Sequence, residues 1–195
     1  MKTTKTMIIY FKKTFFAASL FLLTTTLAFS QKAYSLKSHK VSIDGTSSLH
    51  DWTSEATKVE WSGQLTVDGK SVKAIQSVVV TIPVEGIKSE KGGMMDDKTY
   101  EAFVIEKNPT ITFKLTSATV TGATIKANGT LTMAGVSKVI MMTVTAKVLA
   151  DGSVHLSGSY PINMKDYKMV PPKAVMGTIK VGEKVTLLFE LTVAP

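Results

Sequence analysis

The sequence predicts an all-β fold of roughly eight antiparallel strands carrying one short helical insert. Three observations lead there: long stretches in which apolar and polar residues alternate with a period of two, turn signals at Asp68-Gly69 and Asp151-Gly152, and one interval, Glu85 to Asn108, where the alternation lapses. The clearest unit is Asn128 to Val148, two alternating arms joined through Ala134-Gly135-Val136-Ser137. Gly129, Leu131 and Met133 share one side of the first arm, and Ile140, Met142, Val144, Ala146 and Val148 share one side of the second. A two-stranded ribbon cannot bury such a face alone, so further strands of the same kind must cover it.

Taken in order, the chain opens with a segment that has the parts of a secretory leader. Lys2, Lys5, Lys12 and Lys13 form a basic end without an acid, Phe15 to Phe29 is apolar but diluted by Thr24-Thr25-Thr26, and Ala28-Phe29-Ser30 places small residues before a cut at Gln31. Residues 1–30 are therefore expected to be a signal peptide and 31–195 one domain, with no stable membrane span in the mature chain. Losing the four leader lysines lowers the formal charge from +8 to +4. With no cysteine, the exported domain is held by core and ladder alone. Every basic residue is lysine, scattered singly, and the absence of the arginine fork argues against a nucleic-acid partner.

In the mature chain Gln31 to Ser38 reads as a polar lead-in, followed by Val41, Ile43 and a Gly45-Thr46-Ser47-Ser48 turn. Lys58 to Val67 is a strand in which Val59, Trp61, Gly63, Leu65 and Val67 alternate with polar residues. Asp68-Gly69 turns it into a second, Ala74 to Pro83, where Val78, Val80 and Ile82 share a face with Gln76. A helix spans Met95 to Ile105, with Asp96 and Asp97 in its first turn, Met95, Thr99, Ala102 and Phe103 along one side, and Asn108-Pro109 as its stop. Strands resume with Ile111, Phe113 and Leu115, continue through Ala118 and Val120 to a turn near Gly122, and pass by Ile125 into the hairpin. Val154, Leu156, Gly158, Tyr160 and Ile162 form the next inward face, Pro171-Pro172 a stiff loop, and Val185, Leu187, Phe189, Leu191 and Val193 the last strand.

Such strands close either as a two-sheet sandwich or as a barrel, and eight is the number at which a barrel holds one small ligand. An outer-membrane barrel would share the period. Lys and Glu on the polar faces, the absence of aromatic girdles and the Pro195 terminus argue against it.

No chemistry-bearing constellation emerges. His39, His50 and His155 lack ligand spacing and have no cysteine to assist them, so no metal site is expected. Ser47, Ser48, His50 and Asp51 crowd five positions, whereas a hydrolytic triad converges from distant segments; a turn stabilised by side-chain to backbone bonds explains them better. Asp96-Asp97 fits a helix start, and Gly92-Gly93 lacks a phosphate fingerprint. No catalytic residue and no cofactor are expected. What remains is a supply of inward apolar positions: Val59, Trp61, Leu65, Val78, Val80, Ile82, Ile111, Phe113, Leu115, Leu131, Met133, Met142, Val144, Tyr160, Ile162, Leu187 and Phe189, with Phe103 on the helix. These either fill the interior or line a cavity for a long apolar molecule; the pattern alone does not choose.

Four pieces in order, Gly45-Thr46-Ser47-Ser48-Leu49-His50-Asp51-Trp52, Asn108-Pro109-Thr110-Ile111-Thr112-Phe113, Gly129 to Lys138, and Asp166-Tyr167 before Pro171-Pro172, resemble the YceI-like family over roughly Ser35 to Val193. One departure is that His39 is followed by Lys40 where many members carry a histidine-serine pair. The resemblance implies an exported, periplasmic or secreted, lipocalin-like barrel of eight antiparallel strands around an elongated apolar tunnel. It implies an apolar lipid partner, a polyisoprenoid or isoprenoid quinone, bound without catalysis or metal, with those inward residues as the lining. On that expectation the helix and the Tyr167 to Pro172 loop sit by the mouth, with Gly92-Gly93 letting the helix move as a lid. The rival expectation is a filled-barrel envelope stress or interaction protein without a lipid, and a homodimer is compatible with either.

Overall fold

β-Branched and aromatic residues at every second position favour extended backbone and leave one apolar face per strand, and burying those faces together curls the sheet on itself. In the computed structural model, which describes residues 31–90 and 92–195, the strands are β1 (Lys32–Ser47), β2 (Trp52–Ala56), β3 (Glu60–Asp68), β4 (Ser71–Pro83) and β5 (Ile87–Ser89), followed by helix α1 (Gly93–Phe103). Then come β6 (Thr110–Thr121), β7 (Thr124–Met133), β8 (Val136–Val148), β9 (Val154–Asn163), β10 (Lys173–Ala174) and β11 (Ile179–Ala194). The expected signal peptide lies outside the described residues.

All pairings are antiparallel. β11, β9, β8, β7, β6, β4, β3 and β1 follow one another around the sheet, and β1 pairs with β11 from Ser35↔Ala194 to Ser47↔Val181, closing an eight-stranded barrel. The barrel is thus the solution chosen over the sandwich. β2 continues the line of β3, and β5 that of β4, so two wall strands are interrupted at one level. There Thr57 donates its backbone N–H to Gly86 O at 2.8 Å, and Val84 N donates to Pro109 O at 2.8 Å.

Several expectations are corrected by the register. Gln31 to Ser38 is not a lead-in: β1 begins at Lys32, pairs with β3 through Tyr34↔Gly63, and buries Tyr34 at the barrel wall. Trp52–Ala56 forms a strand where no regular element was expected, and Ile87–Ser89 adds a short strand before the helix. Gln76 does not share a face with Val78, because a bulge at Ser77 (φ 54°) reverses the parity of β4; Ile75 points inward and Gln76 outward. The helix runs Gly93–Phe103, ended by Val104 in the left-handed region rather than by Asn108-Pro109, whose asparagine instead donates its amide N–H to Phe103 O at 3.0 Å. The hairpin turn is two residues, Ala134 (φ 48°) and Gly135 (φ 76°), with Met133 paired to Val136.

The barrel has two unlike ends. At the base, around the turns at Gly69, Gly122 and Gly152, buried Tyr34, Leu65, Val72, Val154 and Val193 pack the interior. There Asp151 accepts from Lys37 Nζ at 2.8 Å and from Ser153 N at 3.0 Å, and these donors hold its carboxyl well below the usual carboxylate range. The other end, where β1, β7 and β9 finish and β8 and β11 begin, carries α1, the β2–β5 ribbon and the Met164–Gly177 connection.

Candidate functional site

Between the packed base and α1 the barrel encloses a hollow with about 200 Å³ of room for the centres of water-sized spheres. One water needs roughly 10–15 Å³ of such room, so the interior is far from filled by side chains. Of the described wall residues only Lys98 is charged, and Ser54 and Thr99 are the only uncharged polar ones.

The hollow exists because the large rings lie along the wall. Trp52, Trp61, Phe113 and Phe189 all border the cavity, and each covers a strand glycine: a Cβ on Gly45 would stand 2.3 Å from Trp52, on Gly63 2.9 Å from Trp61, on Gly129 2.4 Å from Phe113 and on Gly158 2.6 Å from Phe189. Each missing side chain gives a ring a notch to lie flat in, where it would otherwise project across the lumen. The indole N–H of Trp61 is buried and has no hydrogen-bond partner among the described residues, a cost of about 1–3 kcal/mol. Trp52 by contrast donates to Thr46 O at 3.1 Å.

Helix α1 forms one lip of the mouth through Met95, Lys98, Thr99, Ala102 and Phe103. Asp96, expected simply to start the helix, is buried and ties it to β5: Oδ1 accepts from Ser89 N at 2.7 Å and Oδ2 lies 3.5 Å from Lys88 Nζ. Tyr100 donates its hydroxyl to Glu85 O at 2.9 Å, a second tether. The opposite lip is Met164, Met169, Pro172 and Val181. Next to it Tyr167 is buried, and desolvation, reinforced by nearby Tyr160 and Asp166, pushes its pKa up to about 12.

Trp61, Val78, Val80, Ile82, Phe103, Ile111, Phe113, Leu115, Leu131, Met133, Met142, Val144, Ile162, Leu187 and Phe189 border the cavity. Leu65 and Tyr160 do not. Leu65 is part of the packed base, and Tyr160, close to Tyr167, is half-buried against the core without bordering the cavity. Val59 packs against the core without reaching the hollow. Sequence reasoning missed Trp52 and Ser54, which sit on the unforeseen β2, and Ile75, whose parity the bulge conceals. It also missed Met164 and Met169, which belong to a connection without periodicity. Alternation did contain Ile125, Leu156, Val185 and Leu191, which share inward faces with residues already chosen.

The Ser47–Asp51 cluster is a turn. Ser47 Oγ accepts from Leu49 N at 3.2 Å and His50 N at 3.1 Å and donates to His50 O at 2.7 Å, while His50 Nδ1 lies 2.7 Å from the Asp51 main-chain oxygen. Among the described residues no three His, Asp or Glu side chains gather in a metal-binding arrangement, and no helix is long and apolar enough to cross a membrane.

A closed eight-stranded antiparallel barrel with a hollow, apolar interior and a helix at its mouth defines a class of small hollow β-barrels related in shape to lipocalins. More particularly, the chain belongs to the YceI-like domain family, whose model matches residues 34–193. The fold is similar to that of BcnA from Burkholderia cenocepacia (TM-score 0.65, 21% identity, covering 80% of this chain and 96% of that one). It is also similar to a polyisoprenoid binding domain from Saccharophagus degradans (TM-score 0.62, 15% identity, 83% and 98% covered). A third likeness is to the YCEI protein of Campylobacter jejuni (TM-score 0.54, 22% identity, 70% and 83% covered). Among curated proteins no sequence match is found.

Proposed function

We propose that this protein binds an elongated apolar lipid, a polyisoprenoid or isoprenoid quinone, in the barrel interior, and carries or sequesters it without catalysis. The periplasm or the medium, reached after removal of residues 1–30, is the compartment that fits. The observation that carries the reading is the unfilled lumen, whose wall has, among the described residues, a single charged one, Lys98, at the mouth. An isoprenoid chain hiding about 500 Å² there gains roughly 12 kcal/mol gross at about 25 cal/mol per Å². Several kcal/mol of lost freedom come off that figure, and useful affinity remains without any polar contact. The polyisoprenoid binding domain from Saccharophagus degradans, similar in fold, supports the choice of ligand class. The rival, a filled-barrel interaction protein, needs side chains to occupy the space that the aromatic rings leave free.

Organic extraction of the purified protein followed by mass spectrometry tests the proposal. The expected result is a discrete isoprenoid species that disappears when Leu131, buried on the cavity wall, is replaced in Leu131→Trp. Extracts repeatedly free of lipid, or a lipid retained unchanged by the folded Leu131→Trp variant, contradict it.

A further inference from the structure

The segment from Tyr167 to Gly182 contains three lysines, Lys168, Lys173 and Lys180, and no acid. Lys138 and Lys165, at the same end of the barrel, have partners in Asp166 and Glu183. None of the three lysines forms an ion pair among the described residues. Two of them face each other: in the β10–β11 pair Lys173 is directly opposite Lys180, an arrangement of like charges that costs stability unless something negative lies over it.

The same lip presents apolar side chains to solvent. Val170 is 75% exposed and Met176 fully so, and Leu49, 66% exposed, lies on the neighbouring turn. That turn is held against the lip by Ser48 N donating to Lys180 O at 2.9 Å and Lys180 N donating to Ser48 Oγ at 3.0 Å. Val181 N donating to Pro172 O at 3.1 Å closes the base of the loop. Met169, Pro172 and Val181 of this segment border the cavity, so the exposed residues are a few positions from the opening. Large apolar groups in water, flanked by unpaired lysines, match a surface with negative head groups above hydrocarbon.

We propose that this lip docks on an anionic lipid bilayer, with Val170, Met176 and Leu49 entering the interface and Lys168, Lys173 and Lys180 meeting the head groups. The far lip, with Asp97 and Glu101 on α1, is the side that stands away. Docking seats the mouth on the membrane, and it stands or falls separately from what the lumen holds.

The chain has no cysteine, so Met176→Cys offers a single attachment point for a polarity-sensitive dye. Lys70→Cys, on the turn after β3 at the barrel base, serves as the control. With vesicles of mixed phosphatidylglycerol and phosphatidylcholine, and identical N-termini verified by mass, the dye at Met176→Cys is expected to shift to the blue while that at Lys70→Cys stays unchanged. High salt, or vesicles of phosphatidylcholine alone, should abolish the shift. Combining Lys168→Glu, Lys173→Glu and Lys180→Glu should lower partitioning by about a hundredfold or more, since each lysine near such a surface contributes about one kcal/mol. No shift at Met176→Cys, equal shifts at both sites, binding indifferent to vesicle charge, or a response to soluble polyglutamate in place of vesicles would each overturn the proposal.

Discussion

The wall's most consequential residues are those without side chains. Gly158 is opposite Phe189 in the β9–β11 ladder, and a Cβ there would also stand 2.8 Å from the Thr143 carbonyl oxygen, which cannot swing away as a side chain can. Gly158→Val should therefore destabilise the barrel by about 1–3 kcal/mol and tip the Phe189 ring into the lumen. Denaturant unfolding and lipid content measured on the same preparation check this; a variant of unchanged stability with full lipid content contradicts it. Alternation marked Gly63, Gly129 and Gly158 as inward positions but gave no sign of the rings seated on them, because that contact joins strands whose register the sequence leaves open. Trp61 and Phe113 were legible as lining since parity alone decides their side. Leu65 obeys the same parity and still misses the cavity, because height along the barrel, unlike side, is set by the whole ladder.

Single elements differ in how openly their sequences speak. The β7–β8 hairpin was plain, since both arms keep strict alternation and Ala134-Gly135 lies between them. β4 misled at Gln76 because its bulge turns on the backbone of Ser77, a residue whose side chain announces nothing. The Met164–Tyr167 turn, which a sequence without periodicity conceals, supplies the buried phenol of Tyr167. Its folded pKa, about 12, lies above the ordinary value of about 10. Between those values the unfolded chain gives up the proton while the folded chain keeps it, so stability is intact below about pH 10 and falls as pH rises toward about 12. Tyr167→Phe removes that contribution. Urea midpoints for the two proteins should converge or cross over this window, and parallel curves would show that the phenol is not shielded as described.

At the scale of the molecule, closure by β1 against β11 leaves the sheet, among the described residues, ending only in the short β5 and β10, and the contrast between the ends gives the barrel its direction: a packed base and a mouth between two dissimilar lips. The barrel class followed from counting strands. The broken pairs β2/β3 and β4/β5 did not, since their interruption depends on bonds such as Thr57 N to Gly86 O between segments far apart in the chain. The chain's only tryptophans, Trp52 and Trp61, both border the lumen, so its intrinsic fluorescence reports on that space. Titration with a short isoprenoid quinone, itself a quencher, is the most direct test of lumen binding. Saturable quenching of most of the emission at about one equivalent, steeper than for free N-acetyl-tryptophanamide, is the predicted result; linear quenching no stronger than that of the free indole would contradict it.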